Sequence, residues 1–455
     1  MPRRPTIDTQ SPPRWIPASA VAFWAGVDND ARERLLPRVA GVVAVATVAG
    51  GLAIKASGTD LGTPLPPFVS TWAPDVDPQA LLAAAVLAIA VFAGPSLVRR
   101  PASPAGFAAL AAAVSLAAGL ALSSSRAGTI GWYAVFDQRF SWEAPNEYLV
   151  SLPALQYGPQ FFLDHFAELA PSLSVHPAGH PPGFLLLLDA FRITTPPATG
   201  ALCIGASVAL APLTYAIGRG QLGDARARVA ALLVALSPDV LIFGITSADA
   251  VFAVAGTAAL WGLLANPRAA RLAGAAGVAV ASLLSWALLA LIPLAAVVRL
   301  RNGSLRAAVT LVAWCALVLI AFYAVLYTAT GYDPIGTYQA NEHVYRAGIA
   351  AIRPYEFWVF GSPVAFGAAL GLPIAYYAVR AIGAGQPIAL ALAVVVGVSA
   401  LLGFTKAETE RIWLFLVPIA ALAAASVLPP HRLRLALMLL ALQALVVELL
   451  FYNVW

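Results

Sequence analysis

Charge is scarce in this chain, and lysine is almost missing. Only 11% of its 455 residues are Asp, Glu, Lys or Arg, whereas a soluble protein carries about 25% because its surface must be well solvated. That shortage excludes a soluble enzyme, a disordered chain and a nucleic-acid-binding protein, in spite of a formal net charge of +5. Cysteine is scarcer still. Cys203 and Cys315 each lie inside an apolar run, which argues against a disulfide framework or a cysteine metal cluster. What the chain has in abundance is apolar residues, 60% of the total, with a mean hydropathy of +0.81. Of its 27 basic residues only Lys55 and Lys406 are lysines, a usage that suggests a GC-rich genome.

A membrane-crossing helix needs about 20 mostly apolar residues. Such runs occur at about 38–57, 81–98, 105–125, 197–218, 228–246, 250–265, 307–329, 357–380, 387–404, 412–428 and 435–452. Residues 183–191 are apolar but too short to cross. Residues 272–298 are too long for one span and short for two, and read as a tight helical hairpin turning at Ser285 and Trp286. The expected fold class is all-α, a polytopic membrane helix bundle of about 11 to 13 transmembrane helices with a large structured outer loop.

The N-terminal residues carry Arg3, Arg4 and Arg14 but no apolar core of signal-peptide length, so they read as a cytoplasmic tail. With that end inside, and 183–191 dipping in without crossing, 19 of the 27 basic residues fall on the cytoplasmic side, as the positive-inside rule requires. Of the 22 acids, 17 fall on the other side or in outer halves of helices. Acids orient a membrane protein only weakly. Their skew therefore points to an extracytoplasmic active site in a multi-pass plasma-membrane protein, with solvated outer loops as the plainer account.

Three outer segments carry the chemistry. Residues 126–181 hold Asp137, Glu143, Glu147, Asp164 and Glu168 with His165, His176 and His180. The segment is too aromatic for a flexible linker and should fold against the membrane, with short surface helices near 160–170. Glu147 follows Pro145 and could equally cap a helix. HPAGHPP reads as turns, not as a helix face with metal-ligand spacing, so no residue is assigned to a metal. Residues 330–356 place Asp333, Glu342, His343, Arg346 and Arg353 among tyrosines, a composition that suits carbohydrate and equally an interfacial aromatic belt. Residues 405–411 crowd Lys406, Glu408, Glu410 and Arg411 into six positions between two spans. An arginine at a helix end is often only an anchor, but four charges exceed what solubility of so short a loop needs. Asp60, Asp75 and Asp77, in a smaller outer loop at 58–80, read as lying before the functional core.

An acid in the first large outer loop, then His-Pro-Pro about thirty residues later opening a short apolar segment, resembles the GT-C superfamily of polytopic glycosyltransferases. That superfamily includes protein O-mannosyltransferases, aminoarabinose transferases of lipid A and actinobacterial mannosyl-, arabinosyl- and methylthioxylosyltransferases. The resemblance continues through SPDVLIFGITSADAVF, where Asp249 matches a second acid, through the hairpin, and through KAETERIWLFLVP with its arginine before an apolar helix. It covers about residues 105–430. One departure is Asn146-Glu147, where many relatives carry Asp-Glu, and it leaves Glu147, Glu143 and Asp137 all open as the catalytic carboxylate.

The resemblance implies a fold of GT-C type and a single-sugar transfer from a polyprenyl (decaprenyl) phosphate donor. The sugar would be mannose, arabinose or another pentose such as methylthioxylose. The acceptor would be an envelope glycan or glycolipid such as lipoarabinomannan, at the lipid bilayer. Glu147 would be the general base, with Glu143 and Asp137 beside it. Arg411, Lys406 and His180 would bind the donor phosphate. Asp249 would be the second acid, with Glu410, His343, Arg346 and Tyr148 around the substrate. No cofactor is required by this scheme, and a divalent cation is left open. The implied organisation is a tail over 1–37, two extra helices over 38–104, the catalytic core over 105–430 with outer loops 126–181, 330–356 and 405–411, and a last helix over 431–455. The competing readings are a transporter or flippase of envelope precursors, an O-antigen-type polymerase or ligase, and a structural scaffold.

Overall fold

The computed structural model describes residues 29–453. Most of the expected tail, residues 1–28, lies outside the described residues. Beyond them the chain is an all-α polytopic bundle. Among the described residues, six helices are long and apolar enough to cross a membrane: Asn29–Ala56, Ala80–Arg99, Pro104–Ser123, Pro196–Gln221, Leu305–Thr330 and Leu433–Leu450. Two bent pairs bring the number to eight, and three shorter apolar helices complete the eleven runs seen in the sequence.

Local chemistry sets many of the boundaries. Pro104, Pro196, Pro238, Pro334 and Pro387 each open a helix, where the missing N–H is not needed. Ser103 and Asp333 cap the helices they precede, accepting from Gly106 N at 3.1 Å and Ile335 N at 2.9 Å.

Two runs that look like single spans are broken. Asp224–Ala235 and Pro238–Thr246 meet at 57° because Pro238 forces Ser237 into an extended conformation. Tyr355–Ala369 and Leu372–Gly383 meet at 117° at Gly371, whose φ of +94° suits glycine alone. The stretch 272–298 breaks near Ser285 into Arg268–Ala281 and Leu291–Asn302, each too short to cross; they pack on Asp249–Leu264 and Leu305–Thr330 and not on each other, so the expected tight hairpin is not formed. The last run is cut short at Leu450, where Phe451–Asn453 instead pairs antiparallel with Ser70–Trp72.

Burial separates an inner helix set from an outer one. Pro238–Thr246 is buried at every position and Val417–Val427 at all but its last, as expected of helices that are apolar all round. Pro196–Gln221, Asp224–Ala235 and Leu372–Gly383 pack around them. Asn29–Ala56 and Leu305–Thr330 leave most of their apolar side chains uncovered, the pattern of helices that face lipid. The segments 126–181, 330–356 and 405–411 converge at one end of the bundle. Helix Pro334–Ala347 joins them: Asn341 donates to the carbonyls of Ala178 and His180 at 2.7 and 3.3 Å, and the Tyr345 hydroxyl accepts from Lys406 N at 2.7 Å.

Candidate active site

The segment before the His-Pro-Pro motif folds into consecutive helical turns, Ala144–Asn146 and Tyr148–Leu155, with Glu147 extended between them. His176 lies in a helical turn, Val175–Gly179, so HPAGHPP is more regular than its prolines suggest. Three serine contacts clamp the two pieces together. Ser174 Oγ donates to the Glu147 carbonyl at 2.9 Å, the Ser151 and Ser174 hydroxyls meet at 2.7 Å, and Ser174 N donates to Ser151 Oγ at 2.9 Å. Gly183 N donates to the Leu283 carbonyl at 2.7 Å, which ties the same motif to the break between Arg268–Ala281 and Leu291–Asn302.

This clamp brings three buried side chains together. His176 Nε2 lies 3.0 Å from Glu143 Oε1 and 3.6 Å from Glu147 Oε1. Glu143 Oε2 accepts from Asn146 Nδ2 at 3.2 Å, a contact in which a carboxylate at 146 would repel. Glu147 is 1% exposed and its Oε2 has no hydrogen-bond partner. Burial pushes the Glu147 carboxyl above its ordinary range, against the pull of His176 and Arg411. Burial also opposes the charged form of His176, but Glu147 and the Glu143 hydrogen bond outweigh it and raise its pKa.

A second cluster abuts the first. Asp249, the first residue of helix Asp249–Leu264, pairs with Arg411. Arg411 also reaches Glu408 Oε2 at 3.1 Å, and Glu408 Oε1 accepts from Arg353 at 2.7 Å. Burial works against the Glu408 charge, yet the two arginines overcome it and bring its pKa to about 2. Asp249 and Glu408 likewise hold Arg411 charged above the usual arginine range despite its burial. Ala407 and Glu408 sit at φ of +63° and +58°, a conformation that costs non-glycine residues about 1–3 kcal/mol each and is typically retained at functional sites. Arg353, donating also to the Lys406 carbonyl at 2.7 Å, helps hold the loop in that shape.

The remaining expected residues are placed as follows. Asp137 is gripped by the exposed Arg139, 2.6 Å away, and stands apart from the Glu143–Glu147–His176 group. Lys406 turns its ammonium to the Ala350 and Arg353 carbonyls at 3.3 and 3.0 Å, an arrangement that braces the loop. His180 packs on Phe252 and Tyr148, and burial lowers its pKa to about 4. Tyr148 is buried between His176 and Phe184. Glu410 accepts from Val69 N at 3.0 Å and makes no ion pair with Arg353 or Arg411 at the distances that join those two to Glu408. His343 and Arg346 are exposed, Arg346 pairing with Glu342 at 2.7 Å on the outside of Pro334–Ala347.

Two buried charged residues were not among the expected site residues. Arg353 was one cation of a long loop, and its pairing with Glu408 arises only from the fold. Asp239 is fully buried in the first turn of Pro238–Thr246, both carboxylate oxygens lacking a hydrogen-bond partner. Its signal was in plain view: an acid inside an apolar run.

The triad has the chemistry of a metal site. Each of Glu143, Glu147 and His176 offers a ligand atom within 4.8 Å of the others. Two carboxylate oxygens and an imidazole nitrogen suit zinc or manganese, and the unpartnered Glu147 Oε2 is an available donor. Counted together, the two clusters hold four acids, Glu143, Glu147, Asp249 and Glu408, against Arg353, Arg411 and His176.

No protein-family model matches this chain, and no curated protein matches it in sequence. Among solved structures, the oligosaccharyltransferase of Archaeoglobus fulgidus, crystallised in complex with Zn and sulfate, aligns at 14% identity with a TM-score of 0.41. The alignment covers 74% of this chain and 53% of that one, so the chain spans about half the length of that protein. An overlap this partial carries no assignment of activity.

Proposed function

We propose that the protein is a membrane glycosyltransferase that moves one sugar from a polyprenyl-phosphate donor to an envelope glycan or glycolipid at the extracytoplasmic face. One observation carries this reading: a buried carboxylate–histidine triad lies beside a buried arginine pair at one end of a polytopic bundle. The lipid tail of such a donor stays in the bilayer while its phosphate reaches the charged end. Glu147 is the general base. Its raised proton affinity suits it to take the acceptor hydroxyl proton as that oxygen attacks the anomeric carbon. The bond from that carbon to the phosphate oxygen breaks, and Arg411 and Arg353 stabilise the departing phosphate, which competes with Glu408 for their guanidinium groups. Glu143 and Asn146 orient His176, which holds Glu147 in place.

A second reading of the triad is favoured by its ligand spacing: Glu143, Glu147 and His176 hold a divalent cation. When bound, that ion would supply positive charge for the donor phosphate. Glu147 would then be a ligand, and the excess of acids over cations in the site would be balanced.

The test uses membranes containing the full chain and radiolabelled decaprenyl-phospho-mannose or decaprenyl-phospho-arabinose. Transfer to an envelope acceptor is expected, and Glu147→Gln should abolish it. No transfer from any polyprenyl-phosphate sugar would overturn the assignment. Inhibition by EDTA that zinc or manganese reverses selects the metal reading, and indifference to EDTA selects the proton-accepting one.

A further inference from the structure

The end of the bundle remote from Glu147 holds a cavity that the proposed reaction does not use. From Arg411 the chain leads through Val417–Val427, about 17 Å of helical rise, to a turn at Pro430–Arg432. Leu433–Leu450 then runs back, and its far end meets the Ser70–Trp72 strand. Beside that turn, between Leu433–Leu450 and Leu372–Gly383, opens a cavity of about 570 Å³.

The lining is divided by chemistry. Along one wall stand Tyr376, Leu435 and Leu439, left 50%, 43% and 42% exposed. At the turn stand Arg380, His431 and Arg432. Arg380 pairs with Glu33 at 2.9 Å and lies over the Tyr377 ring, but its Nε is buried with no hydrogen-bond partner. His431 and Arg432 are exposed. Two guanidinium groups against the single Glu33 carboxylate leave one positive charge in excess, before any contribution from His431. An exposed apolar wall one or two helical turns from unsatisfied cationic donors matches a molecule with one anionic group and a hydrocarbon tail. Basic pockets between membrane helices bind acidic lipid headgroups on the same physical ground.

We propose that this cavity binds an acidic phospholipid. Its phosphodiester lies against Arg380 and Arg432, and an acyl chain runs along Tyr376, Leu435 and Leu439. The guanidinium groups of Arg380 and Arg432 gain an anionic acceptor, and the apolar wall is covered. This site does not depend on the proposed reaction, because it shares no residue with the charged cluster at the other end.

Native mass spectrometry of the full chain in neutral detergent, titrated with phosphatidylglycerol or with phosphatidylcholine of the same acyl chains, tests the proposal. Phosphatidylglycerol should bind at least tenfold more tightly. Arg432→Gln should weaken it about threefold and Arg380→Gln with Arg432→Gln at least tenfold, with phosphatidylcholine binding unchanged. Arg432 is exposed and unneeded for packing, so its single substitution decides the matter where the double variant fails to fold. Equal binding of the two lipids, or unaltered phosphatidylglycerol binding by Arg432→Gln, would overturn the proposal. Displacement of the lipid by 10 mM inorganic phosphate would overturn it too, in favour of a free-phosphate site.

Discussion

Asp249 and Arg411, 162 residues apart in the chain, form a buried ion pair that joins the start of a core helix to the 405–411 loop. Removing one member of a buried pair leaves the other charge stranded and costs about 3–5 kcal/mol, whereas replacing both by apolar residues costs far less. Arg411 retains Glu408 as a second partner, which moderates the loss when Asp249 goes. Asp249→Leu and Arg411→Met should therefore each lower the thermal midpoint in detergent, while the double variant loses clearly less than the sum. A coupling of about 1–3 kcal/mol is expected from such a cycle. Additive losses would show that the pair contributes nothing as a unit.

In sequence Glu147 stands first as the base with Asp137 left open behind it, and the two differ in surroundings. Asp137 already has its charge matched by Arg139, whereas Glu147 is sealed in with a free oxygen. Glu147→Gln should lower transfer by about 10²–10⁴-fold, the usual worth of a general base, and Asp137→Asn by less than tenfold. Initial rates at saturating donor, with thermal midpoints as a folding control, distinguish the two. Equal losses would remove the reason for preferring Glu147.

Much of the bundle was legible because membrane helices announce themselves by composition: all eleven apolar runs correspond to helices, and the stretch 272–298 breaks near Ser285, although its two halves pack on other helices and not on each other. The breaks at Ser237 and Gly371 were less visible. Proline and glycine marked both places, but a hydropathy window averages over them. Glu143, Glu147 and Arg411 stood out as rare charges near apolar runs, and the structure brings all three to one end. The roles of Lys406 and Glu410 were not legible. Each depends on which backbone groups lie opposite, the carbonyls of 350 and 353 for Lys406 and the amide of Val69 for Glu410, and such long-range partners leave no local pattern. His176 was passed over as a ligand because its expected partner was His180, four residues on. Its actual neighbours are acids about thirty residues earlier.

Lys406 braces two carbonyls and so belongs to loop stability more than to phosphate binding. Hydrogen bonds from a charged donor are each worth roughly 1.5–3 kcal/mol. Lys406→Met should reduce the thermal midpoint while leaving the KM for a polyprenyl-phosphate sugar within about threefold. A rise in KM beyond tenfold with an unchanged midpoint would return Lys406 to the phosphate site.

Glu410 supplies a pH test of how the N-terminal segment docks. Burial pushes its carboxyl to a pKa of about 7 from 4.5, while Val69 N–H bonds to Oε1 and Oε2 has no partner. The unfolded chain releases this proton near pH 4.5 and the folded chain keeps it until about pH 7. Between these values the folded state binds more protons, so rising pH destabilises it. Below 4.5 the group is neutral in both states and contributes no pH dependence. Above 7 the full penalty of the buried charge is present, roughly 3 kcal/mol at 1.36 kcal/mol per pKa unit. Glu410→Gln keeps the acceptor for Val69 and removes the titration. The midpoint of the variant relative to the parent should therefore climb by a few degrees between pH 4.5 and 7 and stay level to pH 8.5. Any fixed cost of burying the amide shifts the whole curve without changing its slope. A difference that is flat across this range, or that falls, would mean that Glu410 is charged in the folded protein at pH 5 and that its contact with Val69 is made by a carboxylate throughout.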